Sequence, residues 1–237
     1  MTDVNTILND SDVLSMIGYA SPEHAEALLG AVAKMPAAAK QNAIAKIMRP
    51  SNIDQNNLTS RGHAVARMGA LPKDIQAGLV AKRLQLADTR FYFVKVANAV
   101  ASVRMIASAD VKAPGVCNVN GGKLEKDNYF LLTGLILLSG VAADPLNAAF
   151  SYVPLAVGNG DFEFKAAGNK YLLPKDTSCQ VFDTSNRTDI EKGLFKLDSP
   201  KWIEPQVDIE MNIRFSQATA ANTNLKLILV GMSVINY

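Results

Sequence analysis

The sequence is poor in the residues that most enzymes and small secreted domains depend on. It holds two cysteines, Cys117 and Cys179, among 237 residues. Two cysteines exclude a disulfide scaffold and a structural zinc site built from cysteine alone. Two histidines, His24 and His63, leave little for imidazole catalysis, and neither falls after residue 112. There is one tryptophan, Trp202, and charged residues make up only 19% with a formal net charge of +2. That balance excludes a strongly basic nucleic-acid coat and an acidic tail protein. The longest apolar stretch, residues 131–143, is short of the ~20 residues a spanning helix needs. The polar residues 1–5 lack the basic and apolar regions of a signal peptide. The expectation is a soluble chain with no signal peptide and no transmembrane segment, made in a reducing cytoplasm with both thiols free. No phosphate loop, dinucleotide fingerprint, nucleophile elbow or HExxH motif occurs. A chain that is not an enzyme, with no cofactor, no metal and no small-molecule substrate, is therefore expected.

What is present divides near residue 112. Residues 1–112 hold 21 alanines and four of the 16 aromatics, with 13 Lys and Arg against 9 Asp and Glu, net +4. Residues 113–237 hold the other twelve aromatics, with 11 Lys and Arg against 13 Asp and Glu, net −2. Alanine favours helix and aromatic residues favour strand. The composition predicts an α+β chain: an N-terminal α-helical, alanine-rich, basic region over 1–112, then an antiparallel, jelly-roll-like β-sandwich domain over 113–237.

Helix starts are legible in the first region. Ser21-Pro22-Glu23 sets a cap, a proline at the first helical position and an acid in the first turn. Ala25, Leu28, Leu29, Val32 and Met35 then recur at helical spacing. A second helix restarts at Pro36 and ends at Arg49-Pro50. Thr59 or Ser60 caps a short helix through Val65 and Met68, and Leu71-Pro72-Lys73-Asp74 begins another carrying Ile75 and Leu79. Phe93, Val96, Val100, Val103 and Ile106 keep helical spacing among alanines, which predicts helix over 88–109.

The second region reads in twos. Val207, Ile209, Met211, Ile213 and Phe215 alternate with Asp208, Glu210, Asn212, Arg214 and Ser216, the pattern of a half-buried antiparallel strand. Phe162 and Phe164 alternate with Asp161, Glu163 and Lys165. Residues 225–235 are almost wholly apolar and read as a central strand. Further strands are expected over 129–138, 150–157, 171–173, 179–182 and 194–197, with turns at Asp144-Pro145, Gly168-Asn169 and Ser199-Pro200 among others. About eight strands at this spacing suit a sandwich, and the long connections 183–193 and 216–224 suit a jelly roll.

Two clusters invite a chemical reading. Asp208 and Glu210 share a strand face about 7 Å apart and could be taken as a carboxylate pair. Their alternation with apolar residues makes them an outward polar face instead. Between Lys34 and Arg104 stand 12 basic residues opposed only by Asp54, Asp74 and Asp88, net +9. The candidate contacts to an anionic partner, nucleic acid or an anionic membrane, are Lys34, Lys40, Lys46, Arg49, Arg61, Arg67, Lys82, Arg83 and Arg90. The competing reading is a solvated helix surface, or pairing with the acidic region of a neighbouring copy. A helix through Asp88 would put Lys82, Arg83 and Arg90 on one stripe.

The stretches 128–135, Gly160-Asp161-Phe162-Glu163-Phe164-Lys165, and Pro205 through Phe215, following a basic helical region, resemble virion structural proteins of bacteriophages with jelly-roll shells. The resemblance covers residues 115–237 and is one of pattern. It implies a capsid or capsid-associated subunit assembled in the host cytoplasm. Its partners would be further copies of itself and other virion proteins, with the sandwich as shell and the basic segment toward the contents. The alternative is a jelly-roll binding module for a glycan or a host surface, with Trp202, Tyr152 and Tyr171 as its aromatics.

Overall fold

The structure, a computed structural model, describes residues 59–167 and 170–236. The helices expected before residue 59 lie outside the described residues, as do Lys34, Lys40, Lys46 and Arg49. The chain divides into two compact units, residues 1–69 and 70–237.

In the first unit, helix α1 spans Ser60–Ala66. Thr59 caps it as its sequence predicts, its hydroxyl accepting from the Gly62 amide at 3.2 Å. In the second, helix α2 spans Lys73–Val80, led by Pro72 with Asp74 in the first turn. Gly78 of α2 lies against the Leu84 side chain, which brings the helix onto the first strand.

Among the described residues nine strands follow: β1 (Leu84–Val96), β2 (Ser102–Ile106), β3 (Tyr129–Val141), β4 (Asp161–Ala166), β5 (Lys170–Tyr171), β6 (Thr177–Ser178), β7 (Leu194–Ile203), β8 (Ile209–Arg214) and β9 (Thr223–Asn236). One sheet has the order β1-β9-β3-β7. The other has β2-β8-β4-β5, with β6 on the flank of β4. Every pairing is antiparallel. A single buried cluster draws Phe93, Phe130, Leu135 and Leu227 from the first sheet and Met105, Phe162, Phe164, Met211 and Ile213 from the second, which makes the unit a β-sandwich. Phe182 joins the layers, tilted on Phe162 at 5.2 Å and edge-on to Phe195 at 6.1 Å.

The helix expected over 88–109 is wrong: β1 and β2 occupy it. β1 pairs with β9 residue for residue, from Leu84 opposite Asn236 to Val96 opposite Asn224. Phe91 and Phe93, two apart, turn to the core, and Phe91 meets Phe130 edge-on at 4.9 Å. The helical spacing is accidental, since Val96 and Val100 are exposed while Phe93 and Ile106 are buried. Helix propensities of less than ~1 kcal/mol per residue yield to this pairing and burial. The alanines sit where no helix is needed: Ala97, Ala99 and Ala101 form the β1–β2 connection. The sandwich therefore starts at Leu84, inside the region whose alanine content predicts helix.

Three smaller expectations also change. Residues 150–157 make one bridge, Ser151 to Ser139. Pro154 then starts the short helix α3, Leu155–Gly158, because its fixed φ suits a helix entry and it has no amide for a ladder. Cys179–Phe182 is a 3-10 turn capped by Ser178, not a strand. Ser199-Pro200 lies inside β7 rather than at a turn. The pairing of β7 with β3 jumps from Lys196 opposite Gly134 to Lys201 opposite Leu132, so the proline occupies an irregularity on an edge strand, where a missing amide is tolerated.

The alternation in β8 holds. Ile209, Met211, Ile213 and Phe215 are buried, Asp208, Glu210 and Asn212 are half-exposed and Arg214 is exposed. β3 and β9 are instead buried on both faces, with Leu131, Ile136, Met232 and Val234 hidden on the side away from the core. That is why both read as unbroken apolar runs.

Candidate functional site

Lys82, Arg83 and Arg90 do not form the expected stripe. Lys82 and Arg83 lie in the turn between α2 and β1, with Lys82 at a φ of 55°. Arg90 is in the middle of β1, about 23 Å further along an extended chain. Its guanidinium is held by Glu191 in a two-pronged pair at 2.8 and 2.9 Å. Strand geometry replaces helix geometry, so residues seven apart are distant and on opposite faces. Lys95 pairs with buried Asp110, whose second oxygen accepts from the Ala107 amide at 3.0 Å. That pair fastens the turn after β2. In the first unit, Arg61 is exposed on α1 and Arg67 is its half-exposed C-terminal cap.

The outer face of the second sheet carries a linked polar surface instead. Arg104 Nε donates to Asn212 Oδ1 at 3.3 Å, and Asn212 Nδ2 donates to Glu163 Oε1 at 3.1 Å. Lys165 Nζ reaches Glu163 at 3.3 Å and stands 4.9 Å over the Tyr171 ring. Next to this row, Arg214 bridges Asp161 at 2.7 Å and Asp176. The residue types are legible in the alternation of β4 and β8. The links are not, because they depend on the register Glu163 opposite Asn212 and Asp161 opposite Arg214. Asp208 belongs to a separate pair with Lys123 at 3.2 Å, and Glu210 faces Lys165 across the β4–β8 ladder. The two carboxylates are thus ordinary members of an outward face.

The Asn212 amide and the Lys165 ammonium hold the Glu163 carboxyl below the usual carboxylate range. A lowered folded value stabilises above the unfolded value, roughly pH 4, and that stability is lost as pH falls through the folded one. The expected result is that Glu163→Gln melts closer to the parent at pH 3 than at pH 6. The difference should be small, because the pair is half-buried and still screened by water. Calorimetry at the two values checks it, and an equal deficit at both would contradict it.

The three aromatics considered for glycan stacking do not converge. Tyr171 is in β5 of the second sheet under Lys165. Trp202 is in β7 of the first sheet and half-buried. Tyr152 lies in the β3–β4 connection with Lys192 at 5.4 Å from its ring.

Both thiols are buried and unpaired. Burial raises the Cys117 thiol and pushes Cys179 up to about 12, so neither forms a nucleophilic thiolate near neutrality. The expected outcome is no alkylation of the native chain and alkylation of both after denaturation without reductant. Mass spectrometry reads it, and a thiol that stays blocked until reduced would contradict it.

Among the described residues, no three or more of His, Cys, Asp and Glu gather as metal ligands would, and no helix is long and apolar enough to cross a membrane. The chain matches no known protein family and no curated protein sequence.

Proposed function

We propose that this is a virion structural protein, a jelly-roll subunit that assembles with copies of itself into a capsid or capsid-associated lattice and catalyses nothing. The observation that carries the reading is the strand order. β1 pairs with β9, β2 with β8, β3 with β7 and β4 with β5, the rungs of one long hairpin. Alternate rungs fall in opposite sheets, the wrapping of a jelly roll, an architecture that serves shells and lectins alike. The scattering of Tyr171, Trp202 and Tyr152 favours the shell, because a glycan platform needs its aromatics on one surface. Arg104, Asn212, Glu163, Lys165 and Arg214 on the outer face of the second sheet are held in hydrogen bonds and ion pairs, which suits a wall more than a ligand site.

Light scattering on the eluting full chain tests this. An assembled species of defined mass, trimer, ring or particle, is expected, and a monomer at every concentration would overturn it. Of the described basic candidates, Arg61 is exposed on α1 and is read as a contact to an anionic partner; Arg90, held by Glu191, is read as a contact within the chain. Binding of the chain to nucleic acid is expected to fall steeply with salt as counterions are released. Neutralising Arg61 is expected to lower the slope by about one unit. An unchanged slope would remove Arg61 from the contact.

A further inference from the structure

β1 runs for thirteen residues along one edge of the first sheet. A regular edge strand of that length offers a row of amides and carbonyls to any extended chain. The other edges among the described strands are short or broken. β2 has five residues with a register shift between Arg104 and Ile106, and β5 and β6 have two residues each. β7 carries Pro200 at its irregularity. β1 has neither defence. Its first half holds an exposed charge, Asp88, but its second half reads Phe91-Tyr92-Phe93-Val94, residues that favour strand pairing.

Residues 113–118 lie along that second half. The Val94 amide donates to the Val116 carbonyl at 2.7 Å and the Asn118 amide to the Tyr92 carbonyl at 3.3 Å, an antiparallel bridge with Phe93 opposite Cys117. A strand continuing from there would offer β1 the carbonyl of residue 118 and the amide of residue 120. The Asn118 side chain supplies both instead. Its Oδ1 accepts from the Tyr92 amide at 2.7 Å, and its Nδ2 donates to the Arg90 carbonyl at 2.9 Å. The main chain turns inward after it, where Val119 is buried.

The far side of the segment is closed too. The amide and carbonyl of Cys117 are both bound to Ala113, at 2.9 Å each. Gly115 makes the turn between them at a φ of 80°, and Pro114 has no amide to offer. One more ordinary strand would only move the open edge outward, whereas this small hairpin ends it. The Gly115 amide donates to the Tyr92 hydroxyl at 3.1 Å. The base of the hairpin is fixed by Asp110, whose carbonyl accepts from the Gly121 amide at 2.6 Å and whose carboxylate pairs with Lys95.

We propose that residues 113–118 are an edge guard, a built-in occupant that keeps β1 from pairing with a strand of another chain, and that the Asn118 side chain is the part that closes it. The guard stands whether or not the chain assembles as read above. An assembly of this chain then uses surfaces other than the β1 edge.

The test compares the full chain with Asn118→Ala and with Asn212→Ala, which removes two side-chain hydrogen bonds from the second sheet and leaves β1 covered. Asn118 is half-exposed, so its variant is expected to fold. Amide exchange and light scattering are followed well below the melting temperature of each protein. In Asn118→Ala the Tyr92 amide is expected to exchange about tenfold faster than in the parent. That variant is also expected to grow with time into particles that bind thioflavin, in which the Tyr92 amide is protected again because an added strand covers it. The parent and Asn212→Ala are expected to show neither change. A Tyr92 amide as slow in Asn118→Ala as in the parent overturns the part given to Asn118. Fast exchange without growth overturns the guard, as does growth that leaves the Tyr92 amide open. Equal growth of Asn212→Ala or of the parent overturns it as well.

Discussion

Ile213→Asp is expected to lower the stability of the folded chain by roughly 3–5 kcal/mol. Ile213 is fully buried in β8, with Val103 of β2 and Phe162 of β4 as its cross-strand neighbours. The surrounding cluster is apolar and offers a carboxylate neither a cation nor a donor. The charge would have to be neutralised or the strand displaced, and displacement by one residue would exchange the buried set with Glu210, Asn212 and Arg214. Glu210→Gln, three positions away on the outward side, is expected to stay within about 0.5 kcal/mol of the parent. Urea unfolding of the three proteins checks the pair of statements. A parent-like midpoint for Ile213→Asp would mean that β8 turns its other face to the core.

That strand shows what a sequence reveals best. Strict alternation over ten residues, Val207 to Ser216, encodes a half-buried antiparallel strand whatever its partners are, and β8 and β4 needed nothing more. The doubly buried β3 and β9 are legible for a related reason, because both faces must be apolar. β1 was not legible, since its alanines and its accidental three-four spacing imitate a helix. Its strand identity comes from thirteen pairings with β9 more than a hundred residues later. Local composition also misleads at Cys179–Phe182, where an apolar run closes a 3-10 turn over the core because Ser178 caps it and Phe182 fills the gap between the sheets. The charge pattern suffers in the same way. Arg90 reads as one of a basic series, but its partner Glu191 stands a hundred residues on. The polar face of the second sheet is visible as residue types and invisible as a network.

Gly231→Ala is the second large effect expected. Gly231 lies in the middle of β9, the strand that pairs with β1 on one side and β3 on the other. It is opposite Thr89 and Leu132, beside the point where the β3 register shifts between Leu132 and Gly134. A Cβ added there would fall on the Leu131 carbonyl oxygen and come within 2.8 Å of Phe130 Cζ. Neither neighbour can give way cheaply. Leu131 belongs to a paired central strand, and the Phe130 ring is fully buried and packed on Phe91. The methyl therefore forces β3 and β9 apart, breaking ladder hydrogen bonds at the centre of the sheet. The expected cost is about 3 kcal/mol, the upper end of what overpacking does. Ser233, two residues on and facing the same way, makes the contrast. Its hydroxyl is buried without a hydrogen-bond partner, so Ser233→Ala keeps the Cβ and removes an unsatisfied group. It is expected to leave stability within about 1 kcal/mol of the parent, on the stabilising side. Denaturant titration of both variants separates the cases. A Gly231→Ala protein as stable as its parent would show that β9 and β3 do not approach each other at this register.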